Sequence, residues 1–311
     1  MTMKVLVTGG AGFIGSHLVD ALVHRDHEVV VLDDLETGLR DNVDRRARLA
    51  VGSVADEDAV RDAIDGCELV FHQAAHKAVL RSVEHPLVTD TANTHGTLTV
   101  LKAAVDAGVR RVVHASSSSV YGGAAPLPTR EDAPLRPRSP YAVSKLAAEE
   151  YCRVFTELYG LETVALRYFN VYGPRQRPDA TYAAVVPLFI DALSHGRDPE
   201  VHGDGLQSRD FTFISDVVAA NLAAAGAAGE TCAGRAYNVA GGRSWTVLDV
   251  LGVLGELLDV EPHPQFVPSR PGDVRHSRAD PTAAAADLDF RASVGLDAGL
   301  GATVDWLRTL S

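Results

Sequence analysis

Short runs of Val, Leu and Ile alternate with longer stretches whose apolar residues recur every three or four positions, so the first half of the chain reads as strand and helix in turn. Lys4-Val-Leu-Val-Thr8 and Glu28-Val-Val-Val-Leu-Asp33 are apolar at every position between their ends, as strands buried on both faces must be. Leu69-Val-Phe-His-Gln73, Arg111-Val-Val-His-Ala115 and Glu162-Thr-Val-Ala-Leu-Arg167 repeat the pattern. Ser16-His-Leu-Val-Asp-Ala-Leu22 and residues 96–107 and 140–159 fall between them with helical periodicity. This order predicts a doubly wound α/β domain of Rossmann type, a parallel sheet covered by helices on both faces, over residues 1–170. From residue 171 to 311 the rhythm is less regular and the loops are rich in Gly, Pro and Arg, which predicts a smaller C-terminal binding region. The chain is expected to return to the first domain at about 210–245. The alanine run 283–286 predicts a short helix, and no internal repeat is present.

The first strand leads directly into Thr8-Gly-Gly-Ala-Gly-Phe-Ile-Gly15 and then into a helix. Gly9, Gly12 and Gly15 let the backbone turn sharply, approach a pyrophosphate and seat the helix against the strand, while the helix N-terminus faces the phosphate charge. The second strand ends at Asp33, at the spacing from which a carboxylate binds the adenosine ribose hydroxyls and repels a 2′-phosphate, so NAD is expected over NADP. A second pattern lies in Ser139-Pro-Tyr-Ala-Val-Ser-Lys145, where four-residue spacing on a helix puts the Tyr141 phenol and the Lys145 ammonium on one face. A nearby cation lowers the cost of forming a phenolate, which makes Tyr141 a candidate general acid and base.

With 311 residues, 46% of them hydrophobic, the chain is long enough for a nucleotide-binding domain and a smaller lobe. A net charge of −12 excludes a general nucleic-acid binder, whose phosphate contacts need clustered Lys and Arg. No apolar stretch approaches the ~20 residues of a membrane helix and the chain opens straight into a strand, so a cytoplasmic enzyme with no membrane contact is expected. Cys67, Cys152 and Cys232 are odd in number and unpaired in spacing; reduced structural thiols are expected, with no metal site.

Beyond Thr8 to Gly15 and Tyr141 to Lys145, the motifs Ala75-His-Lys-Ala-Val79, Ser116-Ser-Ser-Ser-Val-Tyr-Gly122, Arg167-Tyr-Phe-Asn-Val-Tyr-Gly-Pro174 and Arg209-Asp-Phe extend over essentially the whole chain. Together they resemble the extended short-chain dehydrogenase/reductase family, and within it the UDP-hexose 4-epimerases. The resemblance implies NAD as cofactor, held by Gly9, Gly12, Phe13, Ile14, Gly15, Asp33, Ser53, Val54, Ala74, Lys77, Asn93, Tyr141 and Lys145. It implies that Tyr141 takes the proton of the sugar 4-hydroxyl as hydride leaves C4, giving a transient 4-keto sugar that turns over and takes the hydride back. Lys145 would hold the nicotinamide ribose and lower the Tyr141 pKa. Ser117 would bond the 4-oxygen, a register fixed by the spacing to Tyr121 and Gly122; a one-residue slip would select Ser116 or Ser118.

The same resemblance assigns Asn170, Arg209 and Arg270 to the nucleotide diphosphate and His202 to a place where relatives put an aromatic ring on the uracil. Gly52-Ser-Val54 replaces the more usual Gly-Asp segment at the adenine, so the Ser53 hydroxyl or adjacent backbone must receive the amino group. Ser118 and Ser119 stand where 4,6-dehydratases carry carboxylates, which disfavours elimination. Ser277 replaces a large residue that excludes bulky C2 groups and leaves room for an N-acetyl group. Arg177, in a loop similar to that of UDP-glucuronate 4-epimerases, suits a sugar carboxylate, whereas Asn170 and the following Ala-Thr-Tyr segment suit neutral hexoses. The expected activity is therefore 4-epimerisation of UDP-glucose or UDP-galactose or their N-acetyl forms, ahead of UDP-glucuronate, a dehydratase or a non-catalytic NAD sensor. Residues 96–107 and 140–159 correspond to the helices that pair in family dimers, so a homodimer is expected.

Overall fold

The computed structural model describes residues 2–77, 79–178, 183–269 and 274–309. The first half alternates as the hydrophobic pattern requires: β1 (Lys4–Thr8), α1 (Phe13–Val23), β2 (Glu28–Asp33), β3 (Arg48–Val51), α2 (Glu57–Ile64) and β4 (Leu69–His72). Next come α3 (Val79–Glu84), α4 (Pro86–Asp90), α5 (Gly96–Asp106), β5 (Arg111–Ser117), α6 (Pro140–Tyr159) and β6 (Glu162–Tyr168). Between α4 and α5 the helix widens into a π-turn over Thr91–His95, so the helical rod begins one segment earlier than the periodicity from Gly96 suggests. α6 is bounded by local chemistry. The Ser139 hydroxyl accepts from the Ala142 N–H, Pro140 opens the first turn, and Gly160 closes the helix in the left-handed conformation.

The second half holds β7 (Val171–Tyr172), α7 (Val185–Ser194), β8 (Glu200–His202), β9 (Ser208–Arg209), β10 (Thr212–Phe213), α8 (Ile214–Gly226) and α9 (Gly229–Cys232). Then follow β11 (Arg235–Val239), β12 (Trp245–Thr246), α10 (Val247–Leu258), β13 (Gln265–Val267), α11 (Thr282–Asp287) and α12 (Leu296–Arg308). The main sheet is seven parallel strands in the order β11-β6-β5-β4-β1-β2-β3. Its order reverses beside β1, and in such sheets the ligand cleft lies beyond the carboxyl ends of the strands at that reversal.

Side chains alternate across the sheet and build a core on each face. Val5, Val7 and Val113 pack with Leu18 and Val19 of α1 and Val217 and Ala220 of α8. Leu6, Val70 and Val112 face the other way, toward Val60 of α2, Leu101 of α5 and Phe155 of α6. The smaller region has its own core, in which Phe189 and Ile190 of α7 meet Leu251 and Leu254 of α10 and Leu300 of α12. Among the described residues, no helix is long and apolar enough to cross a membrane.

Candidate active site

The glycine loop has the geometry of an anion cradle. Gly9 sits at φ +67° and its N–H donates to the Leu32 carbonyl at 2.8 Å, while its own carbonyl accepts from Gly12 at 3.1 Å. A methyl on Gly15 would lie 2.1 Å from the Gly9 oxygen, and one on Gly9 would lie 2.7 Å from the Ala74 nitrogen. Gly12 caps α1 without a side chain, leaving the first-turn N–H groups of Phe13, Ile14 and Gly15 to an anion.

Asp33 closes this cradle at the end of β2. Its two carboxylate oxygens accept from the Ala11 and Leu35 N–H groups, each at 2.9 Å, and burial raises its pKa against those two bonds. Each oxygen keeps a second acceptor direction for a ribose hydroxyl. The Ser53 hydroxyl accepts from the Ala55 N–H at 3.2 Å, and Val54 is buried where its Cγ2 faces Gly96. Ala74 donates to the Thr8 hydroxyl at 3.3 Å.

Lys77 stands in an open cleft with Nζ 5.9 Å from the Phe13 ring centre, reached by water yet surrounded by protein that lowers its pKa. Asn93, in the π-turn, is saturated by protein. Its oxygen accepts from the His76 N–H at 2.8 Å, and its nitrogen donates to the His76 carbonyl at 3.1 Å and the Ser144 hydroxyl at 3.0 Å. Asn93 thus fixes the loop that carries Lys77.

Tyr141 and Lys145 lie one turn apart on α6, both buried against the end of β5. The Ser117 hydroxyl faces the Tyr141 phenol closely enough to favour its ionised form, and it also accepts from the Ser119 N–H at 3.2 Å. Ser116, its neighbour, donates instead to Glu149, and Ser118 enters a 3₁₀ turn over Ser118–Tyr121. The structure therefore brings Ser117, of the three serines considered, to the phenol. Lys145 Nζ donates to the Ala115 carbonyl at 2.7 Å, and burial pulls its pKa down to about 8.

One sequence expectation needs correction: the Tyr141 pKa is raised, because burial outweighs the effect of the Ser117 hydroxyl, and the nearby lysine spends its proton on a backbone carbonyl. Below the two residues, His72 and His114 are paired across β4 and β5 with ring centres 5.3 Å apart. Burial drives the His72 pKa to about 3 and that of His114 well below its ordinary value, so both are neutral beneath the ammonium.

A cavity of about 530 Å³ opens in the C-terminal region and is lined by Asn170, Gln176, His202, Gln207 and Arg209 among others. It is not lined by Tyr141 or Lys145; Asn170 links the two places, since Tyr168 pairs with Ser117 across the sheet and Asn170 follows two residues later. Asn170 itself is held at φ +30°, a conformation few non-glycine residues adopt, and its amide donates to the Asp210 carbonyl at 3.2 Å. Arg209 donates to the Ser208 carbonyl at 2.9 Å, and His202 Nδ1 meets the Pro268 carbonyl at 3.1 Å.

Ser277 lies half-buried on the segment that donates from its N–H to the Ser208 carbonyl at 3.0 Å and accepts from Ser244 at 2.9 Å. Arg177 is exposed and outside the cavity lining. Arg270 lies outside the described residues.

Two cavity residues escape a reading of the sequence. The amide nitrogens of Gln176 and Gln207 are committed to the Val171 and His202 carbonyls at 3.1 and 2.8 Å, while their buried oxygens have no partner among the described residues. A carbonyl cannot donate, so the amide orientation is fixed and both oxygens remain as acceptors. Both lie in polar, arginine-containing loops, Pro174-Arg-Gln-Arg-Pro178 and Leu206-Gln-Ser-Arg209, where the sequence gives no signal that singles out an amide.

The chain matches the model of the NAD dependent epimerase/dehydratase family over residues 5–240. It is 40% identical to a UDP-glucose 4-epimerase of Mycolicibacterium smegmatis, an alignment covering 99% of this chain and 100% of that protein. Among solved structures, a UDP-glucose 4-epimerase of Thermotoga maritima with UDP-glucose superposes at TM-score 0.95, with 37% identity and coverage of 99% and 100%. A UDP-N-acetylglucosamine 4-epimerase of Methanobrevibacter ruminantium, in complex with UDP-N-acetylmuramic acid, superposes at 0.94, with 35% identity and coverage of 100% and 99%. With its glycine cradle, its half-buried Ser117 beside the buried Tyr141 and Lys145, and these relatives matched end to end, the chain belongs to the NAD-dependent epimerase/dehydratase family.

Proposed function

We propose that this protein is an NAD-dependent 4-epimerase of a neutral UDP-hexose. The observation that carries the reading is the placement of the half-buried Ser117 beside the buried Tyr141, one turn from Lys145, at the strand end beside the Asn170 cavity. Bound NAD supplies a reversible hydride acceptor at C4. The 4-hydroxyl proton passes to Tyr141, directly or through Ser117, as the carbonyl forms, and returns to the 4-oxygen after the sugar has turned its other face. Lys145, one turn away, supplies a positive charge that favours the phenolate against the burial that disfavours it.

The cavity would hold the nucleotide end, with Asn170 and Arg209 toward the diphosphate and His202 on the base, and Ser277 would leave space at C2 for a hydroxyl or an acetamido group. Arg177, the feature that suits a uronate, is exposed next to the cavity residue Gln176, and UDP-glucuronate is accordingly included in the test.

Proton NMR of the protein with NAD and UDP-glucose, UDP-N-acetylglucosamine or UDP-glucuronate in separate tubes tests this. A galacto-configured product from either neutral sugar supports the proposal. Conversion of UDP-glucuronate alone, or vinyl protons in the product, overturns it. Tyr141→Phe is expected to lose roughly 10²- to 10⁴-fold in turnover while retaining NAD.

We also infer a homodimer. Val83 is 61% exposed on α3, Leu87 82% on α4 and Val143 53% on α6, helices packed side by side. The face lies on α3, α4 and α6, whereas Leu98, Ala103 and Val105 of α5 are already half-buried.

A further inference from the structure

Behind Tyr141 and Lys145 lies a second buried polar cluster that the hydride and proton steps leave unused. Glu149 continues their stripe on α6 at four-residue intervals. Its carboxylate accepts from the Ser116 hydroxyl and from Arg167, with Nε at 3.0 and 3.2 Å and Nη2 at 2.8 Å; the two side chains are 5% and 6% exposed. Arg167 Nη1 donates to the Tyr121 hydroxyl at 2.8 Å and to the Glu131 carbonyl at 3.0 Å. Tyr121 donates to Asn238 at 2.7 Å, and the Asn238 amide donates to the Thr129 and Asp280 carbonyls at 3.0 and 3.2 Å. Thr129 and Asp280 pair in turn, the Asp280 N–H donating to the Thr129 carbonyl and the Thr129 N–H to the Arg278 carbonyl, each at 2.8 Å.

The two ends of this chain of bonds are informative. Ser116 stands between Ala115, whose carbonyl holds Lys145, and Ser117, whose hydroxyl meets Tyr141. Residues 276–280 carry Ser277. A buried ion pair returns little net stability, because desolvation of both charges offsets their attraction, whereas a fully bonded network holds its members in one geometry.

We propose that Glu149 and Arg167 are positioning residues. Through Ser116 they set the strand end that aligns Tyr141 and Lys145, and through Tyr121 and Asn238 they lock that strand end to the Ser277 segment. Catalytic alignment and the fit of the sugar are thereby fixed together. The proposal rests on the reading of Tyr141 and Lys145 as the catalytic pair.

Ser116→Ala and Tyr121→Phe each delete one hydroxyl and leave the pair itself intact; Glu149→Gln and Arg167→Lys probe the pair. Steady-state kinetics with UDP-glucose and UDP-N-acetylglucosamine, a pH profile of kcat, NAD affinity and thermal unfolding are measured on each. Lys145 faces His72 from β4, His114 from β5, and Glu149 and Cys152 from its own helix, so its titration reports this environment.

Ser116→Ala is expected to lower kcat roughly ten- to a hundredfold and move the alkaline limb of the profile, with KM and NAD affinity nearly unchanged. Tyr121→Phe is expected to change the kcat/KM ratio of the two sugars several-fold. Lowered unfolding temperatures with kcat, sugar ratio and pH profile intact in both hydroxyl variants would overturn the proposal. Tyr141→Phe, run alongside, separates the two levels: if it retains turnover, the catalytic reading itself is wrong.

Discussion

Lys145 shows what a buried charge costs and why one is kept. Its pKa of about 8 is below its ordinary 10.5, so between those values the unfolded chain binds more protons than the folded one and stability rises with pH. Below pH 8 the buried ammonium is a burden on the fold. Lys145→Met is therefore expected to abolish turnover while stabilising the protein by about 1–2 kcal/mol, read as a rise of a few degrees in Tm. The same value places the loss of the ammonium proton near pH 8, and the kcat profile is expected to fall through an alkaline limb there; a flat profile to pH 10 would show that Lys145 acts without its charge. The pair Tyr141 and Lys145 was legible in the sequence because helical periodicity alone puts positions four apart on one face. The direction of the Tyr141 shift was not, since it depends on how deeply α6 lies against β5, a tertiary quantity. Among four consecutive serines, the hydrogen bond of Ser116 to Glu149 and the approach of Ser117 to Tyr141 separate the roles.

Elements were legible in proportion to their length. Five of the strands in the main sheet carry short apolar runs bounded by polar residues, while β11, which completes the sheet, and α8, which packs on it, lie at residues 214–239. The strands β7, β9, β10 and β12 have two residues each, too few for alternation to register. The π-turn was invisible for another reason: its extra residue is accommodated by the contacts of Asn93 with His76 and Ser144, which lie distant in sequence. At the glycine loop, spacing and structure state the same constraint. Gly15→Ala places a methyl against the Gly9 carbonyl, so α1 must move away from the turn. NAD affinity is expected to fall at least roughly tenfold and stability by about 1–3 kcal/mol, measured by equilibrium dialysis and chemical denaturation.

At the scale of the whole molecule, the apolar residues on α3, α4 and α6 are the surface feature that a solitary soluble chain has least reason to keep. Leu87→Glu is expected to convert a dimer to monomers in sedimentation velocity with the unfolding temperature of the subunit little altered; a wild-type monomer would remove the dimer inference. The sheet carries a different consequence. β11 is an outer strand, bonded only to β6, yet the whole excursion from β7 to α9 intervenes between them in the chain. During synthesis the nascent nucleotide-binding half leaves the ribosome with the β6 edge bare, and Val217 and Ala220 of α8, which cover one face of the sheet, have yet to emerge. The sheet is therefore completed only once the chain has been made as far as Val239. A chain truncated at residue 170 accordingly keeps an open hydrogen-bonding edge on β6 and a sheet face without its α8 cover, the kind of exposed surface that invites aggregation.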